Sequence, residues 1–135
     1  MDYQIFHRLN TYTLEHNGEQ IGTLKFNPIT MFVSGEVKGF GNFSFKSKGY
    51  FMWYRLEYSE NGIIKCVFRR KFTTLYNNEL QLRMDSNEIY LKDTLLCRID
   101  GIPQNPLKLI NNKPLFEFSL KSIEFLPFVF GYSAI

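Results

Sequence analysis

Alanine is almost missing from this chain: Ala134 is the only one in 135 residues. Because alanine is the strongest helix former, its scarcity argues against a helical bundle. Histidine is nearly as rare, with only His7 and His16, and His16 lies at a turn. No His/Cys/carboxylate group stands at metal-ligand spacing, and there is neither a Gly-x-Ser-x-Gly elbow nor a phosphate-cradling glycine loop. The expectation is therefore a protein that is not an enzyme and holds no cofactor or metal. The two cysteines, Cys66 and Cys97, are 31 residues apart with no C-x-x-C. Each sits among apolar residues, which favours buried free thiols in a reducing cytoplasm over a disulfide between facing strands. MDYQIFHRLN lacks the basic start and apolar run of a secretory signal, so a cytoplasmic location is expected. Asn42-Phe43-Ser44 fits the glycosylation sequon, but without an export signal it reads as chance.

Aromatic residues are abundant, with 14 Phe, 8 Tyr and 1 Trp, and aromatic side chains favour strands. A length of 135 residues, 44% hydrophobic and 21% charged, suits one globular domain, 1–135, with a single core. The formal charge of +3 permits an anionic partner without requiring one.

Period-two alternation runs through most of the chain. In TYTLEH, Tyr12 and Leu14 share a face. Asn17-Gly18 then supplies the positive φ angles of a hairpin turn, and QIGTLKF returns with Leu24 and Phe26 together. NFSFKSK turns Phe43 and Phe45 inward and Ser44, Lys46 and Lys48 outward. YFMWYRLEY and IIKCVFRRKF flank a second Asn-Gly turn at Asn61-Gly62. ELQLRM, NEIYL, TLLCRI and PLFEFSLKS complete the pattern, and LKLI offers a short extra strand inside the proline-rich loop 100–114. The expected fold is all-β: an antiparallel barrel of about ten to eleven strands built from hairpins. Parallel neighbours would need crossovers that this chain lacks.

The tail IEFLPFVFGYSAI, 123–135, carries one charged side chain and four aromatic rings. A membrane span needs about 20 apolar residues, so the tail is too short and no transmembrane span is expected. A run of this length suits a buried segment: a central helix, or a closing strand beside PLFEFSL. Pro127 is tolerated in a first helical turn, whereas Phe128-Val129-Phe130 has strand propensity. Antiparallel hairpins over the whole chain, finished by an apolar C-terminal segment, resemble the tubby C-terminal fold. That superfamily includes the LURP-one-related and phospholipid-scramblase-like proteins. The resemblance is architectural and implies a barrel wrapped around a C-terminal hydrophobic helix, with phosphoinositide or membrane binding. It carries over no individual residue.

Three stretches are candidates for function. KGFGNFSF, 38–45, partly matches an RNA-recognition signature, and IFHRLN, 5–10, resembles its partner strand. That fold needs a helix between the two, where this chain has the Asn17-Gly18 hairpin. Nucleic acid is therefore not the expected partner, and the glycines suit a bulge or barrel corner. In KCVFRRK, alternation puts Lys65, Arg69 and Lys71 on one face with Val67, and Cys66, Phe68 and Arg70 on the other. With Lys46, Lys48 and Arg55, this face forms a positive stripe if their strands adjoin, suited to the phosphates of lipid or nucleic acid, or else simply a solvated outer face of the barrel. YFMWYRLEY has large rings on both faces, which implies a central strand or a covered surface. The expected function is a non-enzymatic binding module for a membrane surface or anionic lipid, peripheral at the membrane. A structural, protein-interaction or homo-oligomer-forming domain is one alternative. A hollow barrel carrying a small apolar ligand is the other.

Overall fold

The computed structural model describes residues 2–8, 11–27, 29, 32–48, 55–68, 73–77, 79–103 and 113–134, with backbone alone for Arg8, Lys48, Arg55, Phe68, Thr73 and Thr74. Twelve strands run in chain order: β1 (Asp2–Arg8), β2 (Thr11–His16), β3 (Glu19–Asn27), β4 (Phe32–Val37), β5 (Gly41–Lys48), β6 (Arg55–Glu60), β7 (Ile63–Phe68), β8 (Thr73–Tyr76), β9 (Leu80–Asp85), β10 (Glu88–Leu91), β11 (Thr94–Gly101) and β12 (Phe116–Ser119). Helix α1 (Leu126–Ser133) follows a single 3-10 turn at Ile123–Phe125.

All twelve strands form one antiparallel sheet in the order β7-β6-β5-β4-β3-β2-β1-β12-β11-β10-β9-β8. On one side, β1 pairs with β12, Asp2 opposite Ser119 and Ile5 opposite Phe116. On the other, β7 and β8 face each other, and the Asn77 amide donates to the Lys65 carbonyl at 2.6 Å. The result is a nearly closed barrel, with slightly more strands than the ten to eleven expected. Alternation alone does not single out β1, β4 or β8. Ile5 and Phe6 are both buried and break the pattern of β1, Gly35 interrupts β4, and β8 is only four residues long. The LKLI segment lies outside the described residues.

Local chemistry explains the tight turns. Asn17 and Gly18 have φ of 53° and 80°, and Asn61 and Gly62 have 50° and 83°, as paired positive angles in a two-residue hairpin require. Gly35 meets a different demand. A Cβ there would lie 2.3 Å from the Thr23 carbonyl oxygen and 2.7 Å from the Leu24 Cβ, so the sheet folds at a point where only glycine fits.

The tail is a helix inside the barrel. From Leu126 to Tyr132 every residue of α1 is buried, and Phe128, Val129 and Phe130 are 0% exposed. A helix wins over a strand there because the interior offers no free sheet edge. The backbone must satisfy its own donors and acceptors, and only a helix does so within one segment. Pro127 sits in the first turn, where its missing N–H costs nothing. Around α1 the strands contribute Leu14, Leu24, Phe45, Tyr58, Leu82, Met84 and Ile89, none more than 1% exposed. Phe128 packs against Phe45, Tyr58 and Tyr76 at ring-centroid distances of 5.7, 5.1 and 6.5 Å. At the other end the Tyr132 hydroxyl donates to the Ser86 carbonyl at 3.1 Å, tying the helix to the β9–β10 turn. The helix occupies the space that a hollow carrier would leave for its ligand.

Candidate functional site

The β7–β8 seam gathers features that the rest of the outer surface keeps apart. In β7, Cys66 pairs with Tyr58 and Ile64 with Ser59, so Lys65 is an extra residue in the ladder. A bulge of this kind re-aims the neighbouring side chains. Ile63 and Ile64 are both exposed, at 62% and 55%; Ile64 pairs with Ser59, and Ile63, the first residue of the strand, pairs with Glu60. Extending the antiparallel pairing set by the Asn77–Lys65 bond puts Leu75 beside Val67, both exposed, and Tyr76 beside Cys66, both buried. Ile64, Val67 and Leu75 thus share the outer face of the seam, with the half-buried Lys65 among them and Glu57 opposite Val67.

The basic residues singled out in the sequence separate into two groups. Lys65 is on the seam. Arg69 and Lys71, with Arg70, lie outside the described residues, in the connection from β7 to β8. Lys46 is exposed on β5, 5.7 Å from the Phe32 ring centroid. It stands opposite Glu57 of β6, which in turn stands opposite Val67. Lys48 is opposite Arg55. Strand β6, with its carboxylate, therefore separates Lys46 and Lys48 from β7, and the stripe is not continuous. Between Glu60 and Glu79 the chain holds Lys65, Arg69, Arg70 and Lys71 and no carboxylate. This span comprises both edge strands and their connection.

Phe51 and Trp53, on the ring-rich stretch before β6, lie outside the described residues. The rings of the RNA-like stretch are accounted for. Phe43 and Phe45 are 3% and 0% exposed and pack on α1, out of reach of any base. The glycines of that stretch serve the β4–β5 turn: Gly39 and Gly41 have φ of 87° and 85°. Asn61 of the neighbouring turn clasps it, donating from Nδ2 to the Phe40 carbonyl and accepting the Asn42 amide on Oδ1, each at 3.0 Å. A Cβ on Gly41 would fall 2.3 Å from that Oδ1.

Beneath the seam lies a polar cluster within the core. Glu60 shares the inward phase of Leu56 and Tyr58, and its Oε1 accepts the hydroxyls of Tyr58 at 2.5 Å and Tyr76 at 2.8 Å. Burial raises the pKa of both tyrosines, and the Glu60 hydrogen bond raises it further. Burial, with a smaller contribution from Glu60, pushes the Cys66 thiol up to about 12. Cys97, on the far side of the barrel, is likewise pushed up to about 12 by burial. Both cysteines are free thiols. The cluster keeps its phenols and thiol neutral and unreactive, so it joins β6 to β8 rather than supplying a nucleophile. Period-two alternation alone places Glu60 inward, but its partner Tyr76 comes from a strand too short to stand out.

A polar groove of about 470 Å³ crosses the outer face of β3 to β6, lined in part by Thr23, Lys25, Ser34, Glu36, Asn42 and Ser44. Its lining has one lysine and one glutamate, Lys25 and Glu36, so it has no net charge. Among the described residues no group of three or more His, Cys, Asp or Glu is placed to hold a metal ion. No helix among them is long and apolar enough to cross a membrane. No protein-family model, no curated protein and no solved structure matches the chain.

Proposed function

We propose that this chain is a non-enzymatic binding module for an anionic membrane surface or lipid. The observation that carries the reading is the carboxylate-free span from Asn61 to Asn78, with its four basic residues and the two edge strands of the seam. Basic residues close to an anionic leaflet gain about 1 kcal/mol each. Kinship with the tubby-like barrels, inferred from the C-terminal helix inside the barrel, supports the same reading. The active groups are Lys65, Arg69 and Lys71, while Lys46 and Lys48 are secondary because Glu57 stands between Lys46 and the seam.

Co-sedimentation with phosphatidylserine vesicles tests the proposal. The wild-type protein binds at low salt and releases as salt rises. Changing Lys65, Arg69 and Lys71 together to Gln weakens binding by about 100-fold, from about 1 kcal/mol per charge. A wild-type protein that stays in the supernatant at low salt refutes the function. The second reading, a self-associating domain, is favoured by the exposed aliphatic cluster and predicts a concentration-dependent sedimentation coefficient.

A further inference from the structure

We propose that Asn17 is a modification site, where the folded protein loses ammonia and converts the residue to aspartate and isoaspartate. Asn61, in the same Asn-Gly sequence and the same kind of turn, is held intact. The chemistry is confined to the turn and needs only water. The Gly18 backbone nitrogen gives up its proton and attacks Cγ of the Asn17 amide, forming a new C–N bond. The Cγ–Nδ2 bond breaks, the proton leaves with Nδ2 as ammonia, and a cyclic imide joins the two residues. Water then opens the imide. Addition at Cγ gives aspartate, and addition at the main-chain carbonyl gives isoaspartate, whose backbone runs through Cβ. Glycine favours the attack because it has no Cβ to crowd the nitrogen.

The two Asn-Gly turns differ in little except what holds the asparagine. Both asparagines and both glycines are exposed. Their φ angles match, 53° and 80° at Asn17-Gly18 against 50° and 83° at Asn61-Gly62. Each turn closes an antiparallel hairpin, with His16 opposite Glu19 and Glu60 opposite Ile63. Asn61 is tied down at every polar group. Its Oδ1 accepts the Asn42 amide and its Nδ2 donates to the Phe40 carbonyl, each at 3.0 Å, while its own amide donates to the Asn42 carbonyl at 2.7 Å. Its Cγ cannot turn towards the Gly62 nitrogen until both arms of the side chain let go. Asn17 is held at one corner, where Nδ2 donates to His16 Nε2 at 3.3 Å. The His16 ring is placed to accept because its Nδ1 donates to the Asp2 carbonyl at 2.9 Å. Asn17 Oδ1 has no hydrogen-bond partner among the described residues. The outcome alters the turn it starts from. Either product sets a carboxylate beside His16 Nε2, and isoaspartate adds a methylene to the backbone between His16 and Glu19.

The experiment uses the two sites as controls for each other. Folded protein is incubated in mildly alkaline buffer, sampled over time and digested with trypsin, which puts the sites on separate peptides, Leu9–Lys25 and Leu56–Lys65. Mass spectrometry measures acid against amide in each peptide, and fragmentation separates Asn17 from Asn10. Methyl transfer from S-adenosylmethionine by an isoaspartyl methyltransferase marks the isoaspartate. A parallel sample unfolded in urea has neither turn, so it gives the rate that the flanking residues alone set. Dividing the folded rate by the unfolded rate at each site isolates the effect of the structure. That ratio is expected to be about 30-fold larger at Asn17 than at Asn61, the factor that two hydrogen bonds of ordinary net strength represent. Asn17→Gln removes the acidic species that ion exchange resolves in aged folded protein. Equal ratios at the two sites, or a larger ratio at Asn61, overturn the proposal. So does an Asn17 that stays an amide in the folded protein while the unfolded chain converts, or an acidic species that persists in Asn17→Gln.

Discussion

Replacing Gly131 by alanine sets helix propensity against packing and gives opposite signs for the two. Alanine in a helix interior is better than glycine by about 1 kcal/mol, so propensity alone predicts a more stable protein. Packing predicts the reverse. A Cβ at position 131 would lie 2.2 Å from Phe45 Cε1, 2.8 Å from Phe45 Cδ1 and 2.9 Å from Phe43 Cε2. The Phe45 ring has no slack, being 0% exposed, with Tyr58 at 4.8 Å and Phe128 at 5.7 Å between centroids. Overpacking of a filled core costs about 1–3 kcal/mol, and distances this short belong at the upper end. The net expectation for Gly131→Ala is a loss of about 1–2 kcal/mol, a fall in Tm of roughly 3–8 °C for a domain of this size. Urea denaturation reads it as a lower midpoint with an unchanged slope. Adding Phe45→Leu should cost less in the Gly131→Ala background than in the wild type, because the smaller side chain yields room to the new methyl. A raised midpoint for Gly131→Ala would refute the close packing of α1 against β5.

The clasp between the two turns makes a second prediction. Asn61→Ala removes both 3.0 Å hydrogen bonds and puts alanine at a φ of 50°, so it should destabilise by about 2–3 kcal/mol in the same urea assay; a change within about 0.5 kcal/mol would show the clasp to be incidental. Alkaline pH makes a third. Cys66 and Cys97 ionise near 9.0 when unfolded and near 12 when folded, so the stability they contribute is complete below pH 9 and is lost as pH rises from 9 to 12. The tyrosines Tyr58 and Tyr76, raised above 10.0, act in the same direction. A urea midpoint that rises across this range contradicts the burial of these groups.

Most of the wall was legible in the sequence, because strands with one buried face repeat every two residues. Asn17-Gly18 and Asn61-Gly62 mark hairpins in the sequence and are hairpins in the structure. Phe43 and Phe45 alternate inward as expected. The parts that stayed hidden depend on contacts between distant segments. Phe128-Val129-Phe130 has the local chemistry of a strand, and its helix exists because twelve strands enclose it and leave no edge to pair with. Gly35 looks like a weak point in β4 until the Thr23 carbonyl beside it is seen. At the candidate site, alternation correctly turned Cys66 inward and Val67 outward. The bulge at Lys65 in the ladder between β6 and β7 leaves no mark in composition. The separation of Lys46 from the seam by Glu57 requires the strand order, which no single sequence prints.

The enclosure of α1 sets an order on biosynthesis. The helix that fills the barrel is translated after every strand that surrounds it, and β1 waits for β12 before it gains its second neighbour. On the ribosome the emerging hairpins have an apolar lining with nothing to line, and the sheet cannot condense around its centre until residues beyond Leu126 leave the exit tunnel. Such late, long-range closure makes for slow folding and a long exposure to aggregation. The apolar lining of the hairpins therefore stays uncovered until α1 is available to fill it.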